Sequence, residues 1–210
     1  MSCWRIFVAY FATIMFTGIV ETTGRVLAIQ AEGTNLTFTI EADLAPELTV
    51  DQSLSHNGVC LTVTEVSPTS YRVTAVDETL KKTNLGRVAV GDTLNLERCM
   101  PATGRFDGHI VQGHVDQTGT CVAVQDMGGS WLFNIEYDPS VGNITVEKGS
   151  ICLNGVSLTV FDSRPNGFRV TIIPYTYEHT TFRNLRPGAL VNLEFDVVGK
   201  YIKKMLESYR

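Results

Sequence analysis

HNGVCLTV at residues 56–63 recurs 97 residues later as LNGVSLTV at residues 153–160, and six of the eight positions are identical. The two positions that differ replace His56 by Leu153 and Cys60 by Ser157. The repeat therefore keeps a scaffold and changes the reactive groups on it. Two similar pockets with different chemical duties would carry such a pattern.

The similarity between the two halves extends beyond this stretch. Residues 53–97 align with residues 150–194 without a gap, and 17 of the 45 pairs are identical. Earlier in the chain, residues 18–20 (GIV) match residues 113–115 (GHV). The period is too long for a solenoid, whose units run about 20–50 residues. We therefore predict a tandem duplication of one domain, with the boundary in the Pro/Gly-containing segment 100–108.

Short runs that alternate polar and apolar residues predict β-strands throughout both halves. NLTFTI at residues 35–40 alternates strictly, residues 59–66 are rich in Val and Thr, and FTGIV at residues 16–20 also resembles a strand. Many short strands separated by turns predict an all-β sandwich or small closed barrel. The tail differs, because residues 198–210 place apolar side chains at helical spacing and predict an amphipathic helix. So short a helix must pack on its own barrels or on a neighbouring subunit.

Composition excludes several classes of protein. The net charge is −5 and no basic patch is present, which argues against nucleic-acid binding. The five cysteines show no CxxC pair and no His/Cys cluster at metal spacing, so we expect no metal site and reduced thiols in a cytoplasmic protein. Residues 1–14 are apolar but shorter than the roughly 20 residues of a membrane span. They are either an export signal or an atypical extension before a domain that begins at Met15.

Residues that differ between the copies are the first candidates for chemistry. Cys60 begins a predicted strand beside an Asn-Gly turn, although a lone cysteine is also a common small core residue. His114 occupies the position of Ile19, and imidazole changes charge near neutral pH. Asp196 occupies the position of Cys99. His109 lies five residues before His114, which would put the two rings on opposite faces of a strand, so we assign His109 a structural role.

Hydroxyls shared by both copies form a second group. Ser53 has a counterpart in the second copy, and Thr159 has one in Thr62. They either bind the same polar group twice or cap turns. Lys148 stands where the first copy has Asp51, and a surface lysine is the plain alternative there.

Several motifs occur in a fixed order along the chain: MFTGIVE at 15–21, NGVCLTV at 57–63, ETL at 78–80, TNLG at 83–86, GH at 108–109, QGHVD at 112–116 and NGVSLTV at 154–160. Together they resemble the riboflavin synthase family of duplicated lumazine-binding barrels. The resemblance runs from Met15 to about Lys204. It implies two tandem Greek-key six-stranded β-barrels, at residues 15–107 and 108–197, and a C-terminal helix at residues 198–210.

The resemblance also implies a reaction and an assembly. Two molecules of 6,7-dimethyl-8-ribityllumazine would react without cofactor or metal, one giving a four-carbon unit to the other to yield riboflavin and 5-amino-6-(D-ribitylamino)uracil. The site would form between the N-terminal barrel of one subunit and the C-terminal barrel of another in a homotrimer, with one lumazine on each barrel. Lumazine synthase is a further expected protein partner.

By resemblance, each barrel contributes its own substrate-binding residues. Those expected for the N-terminal pocket are Gly18, Ile19, Val20, Cys60, Leu61, Thr62, Thr74, Ala75, Val76, Asp77, Glu78 and Thr79, with Gly113, His114 and Val115 nearby. Those expected for the C-terminal pocket are Lys148, Ser157, Leu158, Thr159, Ile173, Pro174, Tyr175, Thr176, Tyr177 and Glu178.

The expected chemistry divides between proton transfer and nucleophilic activation. The 7-methyl group of the substrate is acidic, and His114 is the candidate base. A nucleophile that adds to C7 of the other lumazine would be Cys60, Ser53 or water. Ser157, Thr159 and Asp196 would orient the second molecule and take part in later proton transfers.

One departure and one alternative accompany the resemblance. Tyr175 stands where the family commonly has an acidic residue, as Glu78 is in the first copy, so we expect the polar contacts there to differ. Lumazine-binding antenna proteins share the duplicated fold without turnover. The presence of Ser53, Cys60, His114 and the second-copy polar residues favours an enzyme. A purely structural β-barrel module would explain the repeat and leave its divergence unexplained.

Overall fold

The computed structural model describes residues 15–101 and 103–208. Within these ranges the chain forms thirteen strands and three α-helices. The apolar extension that we noted at residues 1–14 lies outside the described residues. No helix within the described ranges is long and apolar enough to cross a membrane.

The first half forms a closed antiparallel barrel of six strands. The strands are β1 (Thr22–Glu32), β2 (Asn35–Glu41), β3 (Ser53–His56), β4 (Val59–Val66), β5 (Ser70–Ala75) and β6 (Thr93–Arg98). Their order around the barrel is β1-β2-β5-β4-β3-β6. Because β2 pairs with β5 and β1 pairs with β6, the connections are those of a Greek key. Alternate side chains such as Phe38, Ile40, Val63 and Val73 fill the interior.

The second half repeats this arrangement with one interruption. Its strands are β7 (Gln117–Asp126), β8 (Trp131–Tyr137), β9 (Ser150–Leu153), β10 (Val156–Thr159), β11 (Phe161–Arg164), β12 (Gly167–Ile172) and β13 (Leu190–Phe195). The sheet order is β10-β9-β13-β7-β8-β12-β11, which is the order of the first barrel opened within one strand. That strand is the counterpart of β4, divided into β10 and β11 at the buried Val160. The predicted pair of Greek-key barrels is therefore confirmed, one closed and one nearly closed.

Three short helices complete the fold. Helices α1 (Asp77–Lys82) and α2 (Pro174–His179) occupy equivalent positions after β5 and β12. Helix α3 (Val197–Glu207) is the predicted C-terminal helix, and it begins where the side chain of Asp196 accepts a hydrogen bond from the Val198 amide. The predicted strand at residues 16–20 is wrong, because only Phe16 pairs there, in an isolated bridge to Val111.

The two barrels meet at the repeated Asn-Gly turns. Asn57 and Asn154 both have φ of 48°, and Gly58 and Gly155 have φ of 79° and 80°. Positive φ at both central residues is the requirement of a tight two-residue hairpin, which explains the Asn-Gly pair. A Cβ atom on Gly58 would lie 2.8 Å from the Gly155 nitrogen, and the reverse distance is also 2.8 Å. The opening repeat therefore forms the centre of a pseudo-two-fold contact between barrels.

Candidate functional site

The turns place the two divergent residues at equivalent positions. Cys60 is the second residue of β4 and Ser157 is the second residue of β10. The amide of Cys60 donates to the Gly113 carbonyl at 2.9 Å, and the amide of Ser157 donates to the Gly18 carbonyl at 2.7 Å. A Cβ atom on Gly113 would lie 2.6 Å from the Cys60 Cβ, and one on Gly18 would lie 2.7 Å from the Ser157 Cβ. Only glycine can make either contact.

This pairing corrects the expected position of residues 18–20. Residues 18–20 lie beside Ser157 rather than Cys60, and Val20 packs against the core of the second barrel. Residues 113–115 lie beside Cys60, and Val115 packs against the core of the first barrel. Sequence reasoning placed residues 18–20 in the N-terminal pocket, with residues 113–115 nearby. The structure keeps residues 113–115 beside Cys60 and moves residues 18–20 to Ser157, because each segment contacts the other barrel before its own first strand begins.

Main-chain hydrogen bonds join the two crossing segments, residues 16–20 and residues 109–115, to each other. The amide of Phe16 donates to the Val111 carbonyl at 2.7 Å, and the amide of Val111 donates back at 3.1 Å. The amide of His109 donates to the Thr17 carbonyl at 3.1 Å. Residues 108–116 form no regular strand, so the argument that His109 and His114 must lie on opposite strand faces does not apply.

His109 is a site residue that sequence reasoning missed. Its Nδ1 lies 2.7 Å from the Ser157 Oγ, which makes a serine–histidine pair inside one chain. Burial lowers the pKa of His109, and the nearby negative charge of Asp196 opposes that shift. A neutral imidazole in this position can accept the hydroxyl proton of Ser157. The only sequence signal was Gly108, whose missing side chain leaves room beside Ser157.

Cys60 is half-buried, and its environment disfavours the thiolate. Burial raises the pKa of its thiol, the Ser53 hydroxyl lowers it, and the negative charge of Glu194 raises it again. Cys99 lies close by, with a pKa raised by burial to about 11. The candidate site on the first barrel therefore presents neutral thiols beside the Ser53 hydroxyl.

His114 has a different setting from His109. It is exposed, and its main-chain amide donates to the Glu194 carboxylate at 3.0 Å. Its neighbour Gly113 accepts a hydrogen bond from the Cys60 amide, so His114 lies one residue from that contact. Its role in proton transfer stays a prediction.

The second barrel carries an open cavity of about 400 Å³ beside Ser157. Six of the residues expected in the C-terminal pocket line it, namely Lys148, Ser157, Leu158, Thr159, Ile173 and Thr176. Phe161, Thr171 and Ile172 also line it and were not predicted. The cavity combines an ammonium group, four hydroxyl-bearing residues and an apolar wall, which suits a planar heterocycle with polar edges.

Four other expected residues of this pocket do not line the cavity. Pro174 begins α2, and Glu178 is exposed near its end. The Tyr175 ring is 69% exposed and stacks on His179 at 4.2 Å. The Tyr177 ring stacks on Trp131 at 3.7 Å. The tyrosine that departs from the family pattern therefore faces outward from this cavity.

The equivalent region of the first barrel lies at the end of β5 and the start of α1. Thr74 shares a hydrogen bond with Thr37 at 2.8 Å, and Ala75 is buried. Val76 is 51% exposed, and Asp77 and Glu78 form ion pairs with lysines one helical turn later. Leu61 is buried and Thr62 is exposed on β4, while Thr79 accepts from Thr83. Ile19 is 46% exposed and lines a separate cavity with Glu97 and Cys99.

Asp196 has a defined structural contact beside the Ser157–His109 pair. Its Oδ1 accepts from the Val198 amide at 3.0 Å and so caps α3. Among residues 15–101 and 103–208, no group of three His, Cys, Asp or Glu side chains is arranged to hold a metal ion.

The comparisons with known proteins agree with this geometry. The chain matches the lumazine binding domain twice, at residues 17–99 and 112–196. It is 42% identical over 193 residues to riboflavin synthase from Actinobacillus pleuropneumoniae, covering 91% of this chain and 90% of the relative. It is 37% identical over 198 residues to riboflavin synthase from Schizosaccharomyces pombe, covering 93% of this chain and 95% of the relative.

Solved structures share the fold at lower identity. LumP complexed with riboflavin superposes with a TM-score of 0.79 at 22% identity, covering 86% of this chain and 99% of that one. LumP complexed with 6,7-dimethyl-8-(1'-D-ribityl) lumazine gives a TM-score of 0.78 at 20% identity, covering 86% of this chain and 98% of the other. With two matches to the lumazine binding domain and close relatives over nearly its whole length, this chain belongs to the riboflavin synthase family.

Proposed function

We propose that this chain is a riboflavin synthase. It converts two molecules of 6,7-dimethyl-8-ribityllumazine into riboflavin and 5-amino-6-(D-ribitylamino)uracil by moving a four-carbon unit, the last step of riboflavin biosynthesis (EC 2.5.1.9). The observation that carries the proposal is the pair of related half-sites with different reactive residues, in a chain 36–42% identical to riboflavin synthases. A dismutation needs two copies of one pocket, since the substrates are the same, and different side chains, since one is donor and one acceptor.

The residues divide between the two lumazines according to these main-chain contacts. The pocket on the first barrel contains Cys60, residues 61–62, residues 74–79 and residues 113–115. The pocket on the second barrel contains residues 18–20, Lys148, residues 157–159 and residues 173–178. Main-chain groups of the crossing segments face the bound heterocycles and recognise their polar edges.

Proton transfers are shared by two histidines. The exposed His114 removes a proton from the acidic 7-methyl group of one lumazine. On the other barrel, His109 accepts the Ser157 proton at 2.7 Å, so that the serine oxygen or a water beside it adds to C7 of the second lumazine. Thr159 and Asp196 orient that molecule. Holding both substrates in contact lowers the barrier further, by up to roughly 7–11 kcal/mol for good pre-orientation.

The decisive experiment is turnover with purified protein and 6,7-dimethyl-8-ribityllumazine. Riboflavin absorbance should rise and the pyrimidine product should appear in equal amount. A matched reaction without protein sets the background rate. Stable lumazine fluorescence with no product would instead support the alternative hypothesis of an antenna protein, since LumP has the same fold and binds the lumazine.

We further propose a homotrimer assembled through α3. Tyr201, Ile202, Met205 and Leu206 are 54–71% exposed on this helix, and Ile144 and Val146 beside it are each 61% exposed. Apolar patches of this kind are usually covered by another chain. Light scattering should give a trimer for the full chain and a smaller species for Ile202→Lys, while Glu136→Lys on the exposed face of β8 should leave the trimer intact.

Three smaller proposals accompany this one. We place the protein in the cytoplasm, since Cys60, Cys99, Cys121 and Cys152 are free thiols. Lumazine synthase is a proposed partner, which co-sedimentation of the two proteins would test. We assign residues 15–107 and 108–197 to the two barrels, residues 198–210 to the tail and residues 1–14 to an extension.

A further inference from the structure

Two buried carboxylates occupy equivalent positions on the last strand of each barrel. Glu97 on β6 is 5% exposed and Glu194 on β13 is 3% exposed. Neither oxygen pair contacts a lysine or arginine within the described residues. Both carboxylates instead accept hydrogen bonds from main-chain amides of the crossing segments.

Glu97 holds the first crossing segment. Its Oε1 accepts from the Thr17 amide at 2.7 Å and from the Thr17 hydroxyl at 2.9 Å. Its Oε2 accepts from the Gly18 amide at 3.1 Å. The carbonyl of the same glycine accepts from the amide of Ser157 on the second barrel at 2.7 Å. A carboxylate on the first barrel thus fixes the segment that meets the reactive serine of the second.

Glu194 holds the second crossing segment in the same way. It accepts from the amides of Gln112, Gly113 and His114 at 2.7, 2.9 and 3.0 Å. The Gly113 carbonyl accepts from the amide of Cys60 on the first barrel at 2.9 Å. Glu194 therefore fixes the segment that meets Cys60 and also carries His114.

We propose that Glu97 and Glu194 are crossed positioning residues. Glu97, on the first barrel, fixes the segment that contacts Ser157 of the second barrel. Glu194, on the second barrel, fixes the segment that contacts Cys60 of the first. This inference rests on the proposed function, because it assigns roles to the half-sites of that reaction. The two half-sites are thereby linked in both directions within one chain. A change in the last strand of one barrel therefore displaces the segment at the reactive residue of the other barrel.

A purely structural role does not account for the choice of an acid. Burial raises the pKa of Glu97 to about 7 and also raises the pKa of Glu194. A buried carboxylate is therefore costly, and a neutral side chain would suffice to fill the space. What an amide side chain cannot do is accept from two or three convergent N–H donors with both of its terminal atoms.

The test compares Glu97→Gln and Glu194→Gln, with Glu136→Gln on the exposed face of β8 as matched control. Protein labelled with ¹⁵N only in cysteine or only in serine reports the Cys60 and Ser157 amides separately. Glu194→Gln should shift the Cys60 amide signal and leave that of Ser157 in place, and Glu97→Gln should do the reverse. The control should move neither signal.

A second readout follows the Cys60 thiol. Glu194→Gln removes a negative charge near the thiol, so the pH at which Cys60 is half-alkylated should fall. Glu97→Gln should leave that pH unchanged. Each of the two variants should lower kcat/KM for lumazine turnover by at least about tenfold, since displacement of a positioned group is costly.

The outcomes separate this inference from the proposed function. If each variant moves the amide of its own barrel, or both variants move both amides equally, the crossed assignment is wrong. If either glutamine variant does not fold, Glu97→Asp or Glu194→Asp keeps the charge and should give the same crossed pattern. Wild-type protein without turnover overturns the proposed function, while the amide pattern still decides the crossed assignment.

Discussion

At Cys60 the structure distinguishes two roles that a thiol could have. Burial raises its pKa above the ordinary 9.0, so the thiol stays neutral at pH 7. We therefore expect it to act as a weak hydrogen-bond donor rather than as a thiolate nucleophile. Cys60→Ser should lose less than about tenfold in kcat, since the hydroxyl preserves donor and size. A thousandfold loss of kcat in Cys60→Ser, with the control variant Cys99→Ser unaffected, would instead show that Cys60 acts as a nucleophile.

His56 is a second residue whose burial has a measurable consequence. Its Nε2 lies 2.9 Å from the Tyr71 hydroxyl, and burial lowers its pKa from 6.5 to about 4. The unfolded chain therefore binds one more proton between these values. Its contribution to stability is complete above pH 6.5 and is lost as pH falls toward 4, by about 3 kcal/mol.

The second copy supplies the matched variant. Leu153 and Phe168 replace this pair there, so His56→Leu with Tyr71→Phe should lose about 2–3 kcal/mol less than wild type between pH 7 and 4.5. Glu97 acts in the opposite direction, since its raised pKa of about 7 favours the folded state at low pH. Both proteins contain Glu97, so the difference between their urea curves isolates His56. Equal losses in the two proteins would contradict this account.

At the scale of elements, Asp196 combines a cap and a charge, which two substitutions can separate. Asp196→Asn keeps an oxygen for the Val198 amide, so α3 and the assembly should keep wild-type stability. Asp196→Ala should cost about 1 kcal/mol of unfolding free energy, because the cap is lost. Both should lower turnover at least about tenfold if the carboxylate takes part in proton transfer. Full turnover by the asparagine variant would show that Asp196 caps α3 and takes no part in proton transfer.

The elements also show where sequence reasoning succeeds and where it fails. Alternation and Asn-Gly turns predicted the strands of both halves, because these signals depend on neighbouring residues alone. The segment at residues 16–20 has the same strand-like composition, yet it pairs only at Phe16. Thr17 and Gly18 instead form hydrogen bonds with Glu97 and Ser157, which lie 79 or more residues away. Such long-range partners leave no periodic signal.

The whole molecule shows the same limit for the candidate site. The divergence of Cys60 and Ser157 indicated two half-sites, and the two residues have equivalent main-chain contacts, as the repeat predicts. The position of residues 18–20 beside Ser157 could not be inferred from the repeat, because equivalent segments would look alike in either pairing. His109 was missed for a related reason: its role depends on Ser157, which is distant in sequence and adjacent only after the barrels meet.

Two buried asparagines hold the contact between the barrels. Asn95 on β6 donates to the Asn154 carbonyl at 2.8 Å and accepts from the Thr181 amide at 2.8 Å. Asn192 on β13 donates to the Asn57 carbonyl at 2.9 Å and accepts from the Asn84 amide at 2.7 Å. Both side chains are 1% exposed. Replacing either by alanine leaves two main-chain groups without these partners, at about 1–3 kcal/mol for a buried group and less for the partly buried Thr181 amide.

Because these partners lie on the opposite barrel, the cost falls on the contact and not on either core. Asn95→Ala and Asn192→Ala should therefore each reduce stability by about 2–4 kcal/mol and divide urea unfolding into two steps, one per barrel. Asn166→Ala, at an exposed turn, should stay within about 0.5 kcal/mol of wild type with a single transition. A single transition in all three variants would mean that the barrels are coupled by the crossing segments alone. Turnover should fall with the coupling, since each half-site is completed by a segment that belongs to the other half of the chain.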